Sequence, residues 1–118
     1  MILVDTNVWI EHFKVSSPQL IELLMEGRVV THEFILGELS LTHFNKKDRE
    51  KIFERLRALE RVKTSKHEEV YDFSFHSKLS EKGIGWIDSH LLHACVTQKL
   101  ELLTFDKNLS QLAKKIIR

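Results

Sequence analysis

The sequence predicts an α/β fold, a three-layer α/β/α sandwich with a short parallel central sheet. Three observations carry this. Short all-apolar runs, each closed by polar turn residues, recur along the chain, as in strands buried on both faces. Helical stretches of ten or more residues separate them, which is the βαβ pattern. Leu, Ile, Val and Phe supply about a third of the 118 residues, against one Pro and four Gly, so the chain has a core to bury and few breaks.

The elements follow in order. Ile2-Leu3-Val4 is the first strand, ended by Asp5-Thr6-Asn7. Val8 to Phe13 reads as a short helix. Ser17 as N-cap and Pro18 at the first helical position open a second helix that runs to Glu26, with Gly27 as its stop. Arg28 to Thr31 is the second strand. A helix is expected from about Glu33 to Phe44, a break or cap at Asn45 to Asp48, and a further helix to about Leu59. Val62 marks a brief third strand. Thr64 or Ser65 should cap a helix reaching about Lys82, with Val70, Phe73 and Leu79 inward. After the loop Gly83-Ile84-Gly85, a helix spans about Ile87 to Lys99. Glu101 to Thr104 is the fourth strand. Phe105 to Asn108 turn into a last helix, and Ile116-Ile117 suggest a fragment of a fifth strand.

Bulk properties narrow the function. The 118 residues make a single domain, 1–118, with a formal charge of +1, which excludes strong non-specific attraction to polyanions. One cysteine, Cys95, excludes an internal disulfide and suits a reducing compartment. No apolar run is long enough for a membrane span. The opening residues meet an acid after Ile2-Leu3-Val4, unlike a signal peptide, so a cytoplasmic location with no membrane association is expected.

Four acids stand in telling places. Asp5 and Asp106 each follow a strand, at the sheet edge where open α/β folds bind ligands. Glu38 has Phe34, Ile35 and Leu41 on its own helical stripe, so it should face the body of the protein. Asp88 has Leu91 and Leu92 at the same helical spacing and lies in the first turn of its helix. Taken singly, Asp5 and Asp106 suit caps or turns, and Asp88 suits the helix dipole. Four carboxylates at one sheet edge repel each other unless a cation sits among them. An all-oxygen set suits Mg²⁺ or Mn²⁺. Such an ion activates water and stabilises charge on a phosphodiester, with no catalytic His or Ser required.

Ile2-Leu3-Val4-Asp5-Thr6-Asn7, Gly37-Glu38-Leu39, Gly83-Ile84-Gly85-Trp86-Ile87-Asp88 and Leu102-Leu103-Thr104-Phe105-Asp106-Lys107 succeed one another across the chain. Their order and spacing resemble the PIN-domain family, and more narrowly the VapC-type toxins of bacterial toxin–antitoxin pairs. The resemblance implies a metal-dependent endoribonuclease using Mg²⁺ or Mn²⁺, with Asp5, Glu38, Asp88 and Asp106 as catalytic metal-binding acids. It gives Thr6, Asn7 and Thr104 supporting roles, Asn7 in ordering a loop. It also implies an RNA substrate, a cognate antitoxin protein and a homodimer. The family usually carries a further acid just after the fourth, where this chain has Asn108.

Other features have plainer readings. His90 and His93 are three residues apart on one helix but lack a third metal ligand, and the remaining histidines form no visible constellation. Lys46-Lys47-Asp48-Arg49 and Lys114-Lys115 suit solvated helix faces as well as RNA phosphates. Trp86 suits helix-entry packing as well as base stacking, and Trp9, Phe13 and Phe44 suit core packing as well as a partner surface. Two other functions compete: a catalytically silent RNA- or protein-binding relative, and a receiver-type phospho-acceptor domain. The second needs an acid pair after the first strand, where Thr6 and Asn7 stand.

Overall fold

The computed structural model describes residues 1–44 and 46–117. Asn45, expected to help cap a helix, lies outside them. Four strands form one parallel sheet in the order β3-β2-β1-β4. They are β1 (Ile2–Val4), β2 (Val29–Thr31), β3 (Glu60–Arg61) and β4 (Glu101–Leu103). Seven helices complete a three-layer α/β/α fold: α1 (Thr6–Lys14), α2 (Pro18–Met25), α3 (Glu33–Ser40), α4 (Lys46–Arg57), α5 (His67–His76), α6 (Trp86–Gln98) and α7 (Lys107–Ile116).

The central strand β1 is buried throughout because it is covered on both faces. Each fully buried side chain such as Leu3 contributes about 2 kcal/mol by leaving water. The main core joins β1 and β2 to Val8, Trp9, Leu20, Ile35, Leu39, Leu91 and Cys95. A second cluster packs α7 through Leu109, Leu112 and Ala113 onto Leu79 and Leu92. The Cys95 thiol is buried and pushed up to about 12 by that burial, so it stays protonated. Among the described residues no helix is long and apolar enough to cross a membrane.

Several expectations need correction. The first helix starts at Thr6, directly after Asp5, rather than at Val8. The helix expected to reach Phe44 stops at Ser40. There the Ser40 and Thr42 hydroxyls donate to the Gly37 and Glu38 carbonyls, at 2.6 and 3.0 Å, and Arg49 donates to the Ser40 carbonyl. These local bonds compete with further helix. The third strand is Glu60–Arg61; Val62 follows it into the core, its N–H donating to the Thr31 carbonyl. The long helix expected to Lys82 is two pieces. α5 starts after Lys66, without a side-chain cap from Thr64 or Ser65, and ends at His76. Lys78 then takes a left-handed conformation (φ 53°) before a 3-10 turn at Leu79–Lys82. Ile116 belongs to α7 and Ile117 caps it, so among the described residues there is no fifth strand.

Candidate functional site

β1 is flanked by β2 on one side and β4 on the other, so the strand order runs outward to β3 and then reverses across β1 to β4. The crevice beyond its carboxyl end is the ligand position of an open α/β sheet. Asp5 stands there as N-cap of α1. It is buried; one carboxylate oxygen accepts the Thr6 N–H at 2.8 Å and the other accepts the Thr104 hydroxyl at 2.7 Å. Asp106, beyond the neighbouring strand β4, caps α7 by accepting the Leu109 N–H at 3.0 Å. The two acids therefore do cap helices, and the same placement brings them to one edge.

Glu38 reaches this edge from α3, where its Oε1 accepts the Thr6 hydroxyl at 2.7 Å. Asp88 comes from the first turn of α6. Its carboxyl is pushed up to about 6, first by burial and then by the negative charges of Asp5, Asp106 and Glu38. The fold thus brings the other three sequence-selected acids within electrostatic reach of Asp88. Among the described residues, no three Asp, Glu, His or Cys side chains yet stand at chelating distance of one point. The donor atoms of the four acids are all oxygens, which fit a hard divalent cation.

Asn7 and Thr104 knit the strand ends together. The Asn7 amide donates to the Thr104 hydroxyl at 3.2 Å and its carbonyl accepts the Phe105 N–H at 3.1 Å. The Thr104 hydroxyl also accepts the Asp106 N–H at 3.1 Å. Asn108, standing where a further acid would be, donates instead to the Lys82 carbonyl at 2.7 Å.

A model of the PIN domain family matches residues 2–115. The chain belongs to the PIN domain family. Two relatives, both named Ribonuclease VapC32, come from the CDC 1551 / Oshkosh and H37Rv strains of Mycobacterium tuberculosis. Each is 34% identical over 110 residues, covering 92% of this chain and 87% of its own. No solved structure gives a significant match.

This PIN domain also gathers histidines that sequence spacing left scattered. His32, His67 and His90 converge from β2–α3, α5 and α6. His67 Nδ1 and His90 Nε2 are hydrogen-bonded at 3.0 Å, and the His32 and His90 rings meet edge to face at 6.3 Å. His32 Nδ1 accepts the Phe34 N–H, so its proton sits on Nε2. Burial, reinforced by His90, holds His32 at about 4, and burial also lowers His90. His93 is separate, paired with the Ser65 hydroxyl at 2.6 Å. No sequence signal marks this cluster, because its members are far apart along the chain and share no period.

Trp9, Phe13 and Phe44 do pack together, with Trp9 stacked on Phe13 and Phe13 against Phe44. Lys114 and Lys115 lie on the exposed face of α7.

Proposed function

We propose that this PIN domain protein is a divalent-metal-dependent endoribonuclease and the toxin of a toxin–antitoxin pair. The observation that carries the reading is the set of four carboxylates brought from four elements to the carboxyl end of β1, where burial first and the charges of Asp5, Asp106 and Glu38 second push Asp88 up to about 6. The similarity to relatives named as ribonucleases supports it.

Asp5, Glu38, Asp88 and Asp106 are the acids that hold Mg²⁺ or Mn²⁺. When bound, the ion supplies an acidified water for in-line attack on an RNA phosphodiester and positive charge against the phosphate. The chain's own residues set the acids. The Thr104 hydroxyl, by donating to Asp5, fixes the position of that carboxylate. The Thr6 hydroxyl does the same for Glu38. Asn7 holds the Thr104 hydroxyl and the Phe105 backbone N–H, which aims Asp106. Asp106 spends one oxygen on capping α7 and offers the other.

In this reading residues 1–118 are a single cytoplasmic domain that works as a homodimer and is restrained by a cognate antitoxin protein. The test is cleavage of a labelled total-RNA pool by the wild type and by Glu38→Gln, with Mg²⁺, Mn²⁺ or EDTA. Glutamine keeps an acceptor for the Thr6 hydroxyl while removing the charge. Metal-dependent cleavage that disappears in Glu38→Gln is expected. A folded wild type that cuts nothing with either metal overturns the reading in favour of a binding-only relative.

A further inference from the structure

Four aromatic side chains are exposed among the described residues, and three of them, Tyr71, Phe75 and Trp86, border one open cavity of about 420 Å³. The cavity lies between α5 and the start of α6. We propose that it is a nucleobase-stacking subsite, holding a base of single-stranded RNA beside the bond that is cut. The inference rests on the nuclease reading above and extends it to how the substrate is held.

Position is the first argument. Trp86 and Asp88 share the first turn of α6 but, two residues apart, point to different sides of it, Trp86 toward His67 and Tyr71 and Asp88 toward the other acids. RNA drawn across the N-terminus of α6 therefore brings a base onto Trp86 close to the phosphate at the acids. Chemistry is the second. The aromatic walls are joined by Lys78, Glu81 and two serines. Flat rings beside the exposed Ser80, a carboxylate and an ammonium match a base with its polar edge and its phosphate. They suit an aliphatic protein surface poorly.

Rigidity is the third argument. The Trp86 indole meets His90 edge to face at 4.5 Å, with His67 and Tyr71 each 5.4 Å away. The bond between His67 and His90 locks two of these rings to each other. The histidine cluster thus has a use: buried His90 and exposed His67 hold the indole from behind while 42% of Trp86 remains open. A ring already fixed loses little freedom when a base stacks on it. Tyr71 lies at 33° to the indole and in contact with it, so the base stacks on their open side rather than between them.

The test uses the non-cleaving Glu38→Gln protein and single-stranded RNA octamers of A, C, G or U, with an abasic octamer as control. Trp86 is the exposed indole and Trp9 is buried, so fluorescence quenching reports on Trp86. Base-bearing octamers are expected to quench and to bind more tightly than the abasic one. By anisotropy of end-labelled octamers, which needs no tryptophan, adding Trp86→Ala should weaken base-bearing octamers ~10- to 100-fold and leave the abasic one unchanged, and Trp86→Phe should restore most of the loss. Equal loss for abasic and base-bearing RNA, or no loss at all, overturns the proposal. So does a change of oligomeric state in Trp86→Ala by sedimentation, which would make the cavity an interface between copies. Wild-type cleavage is scored separately: base-dependent binding without cleavage removes the nuclease reading and keeps the subsite.

Discussion

The Thr104 hydroxyl donates to Asp5 and accepts from the Asn7 amide and the Asp106 N–H, which uses its full hydrogen-bonding capacity. Thr104→Val keeps the shape and strands three partners, one of them the buried Asp5 carboxylate. It should cost about 1–3 kcal/mol in urea unfolding and reduce cleavage strongly, while Thr104→Ser retains both. Asp88 carries a pH signature. Its carboxyl lies at about 6 in the folded protein, above the ordinary aspartate range, so the folded state holds this proton more tightly than the unfolded chain. The associated stability is complete below that ordinary range and is lost as pH rises through 6. In metal-free buffer, Asp88→Asn should therefore melt higher than the wild type at pH 7.5 and no higher at pH 3.5. An equal difference at both values would show that the buried charge on Asp88 is not the cause. Asp5, Glu38, Asp88 and Asp106 were legible in the sequence because strand ends, helix stripes and motif order mark them. Trp86 stood open between base stacking and helix-entry packing, and the histidines behind it were not legible, because contacts between α3, α5 and α6 leave no local period.

The elements read from sequence were those whose pattern is set locally. Ile2–Val4 is apolar because both faces are covered, and Ser17-Pro18 opens α2 with its own cap, the Ser17 hydroxyl accepting the Leu20 N–H. β3 was misplaced onto Val62 because Glu60 and Arg61 are exposed, and an edge pair held only by β2 needs no apolar side chains. The break after α5 was missed because its turn falls on Lys78, where a glycine would have announced it. Lys99 does the same at the end of α6, with φ 57° and the Leu100 N–H returning to the Cys95 carbonyl. A side chain in the left-handed region is strained, by roughly 1 kcal/mol. Lys99→Gly should raise stability by about that much without changing cleavage. Lys78→Gly should gain similarly yet weaken RNA binding, since its ammonium borders the aromatic cavity. A gain with unchanged RNA affinity would remove Lys78 from the substrate path.

At the scale of the whole molecule, the four acids come from the beginning, middle and end of the chain, Asp5 and Asp106 being 101 positions apart. They belong to β1–α1, α3, α6 and β4–α7, so a cation bound by all of them ties every layer of the fold together. Binding to the folded state alone stabilises it by about 2.7 kcal/mol once the free ion reaches 100 times its dissociation constant. Mg²⁺ should therefore raise the melting temperature of the wild type, and EDTA should reverse the rise. The gain should be larger at pH 7.5 than at pH 5, because a proton on Asp88 competes with the ion below about 6. Asp88→Asn separates the two effects: it relieves the repulsion by itself, so its metal-free protein starts higher and gains less from Mg²⁺. A wild type whose melting temperature ignores Mg²⁺ and Mn²⁺ at both pH values would mean that the acids serve as caps and hydrogen-bond acceptors only. The cavity at Trp86 would then be the remaining route by which this fold engages RNA.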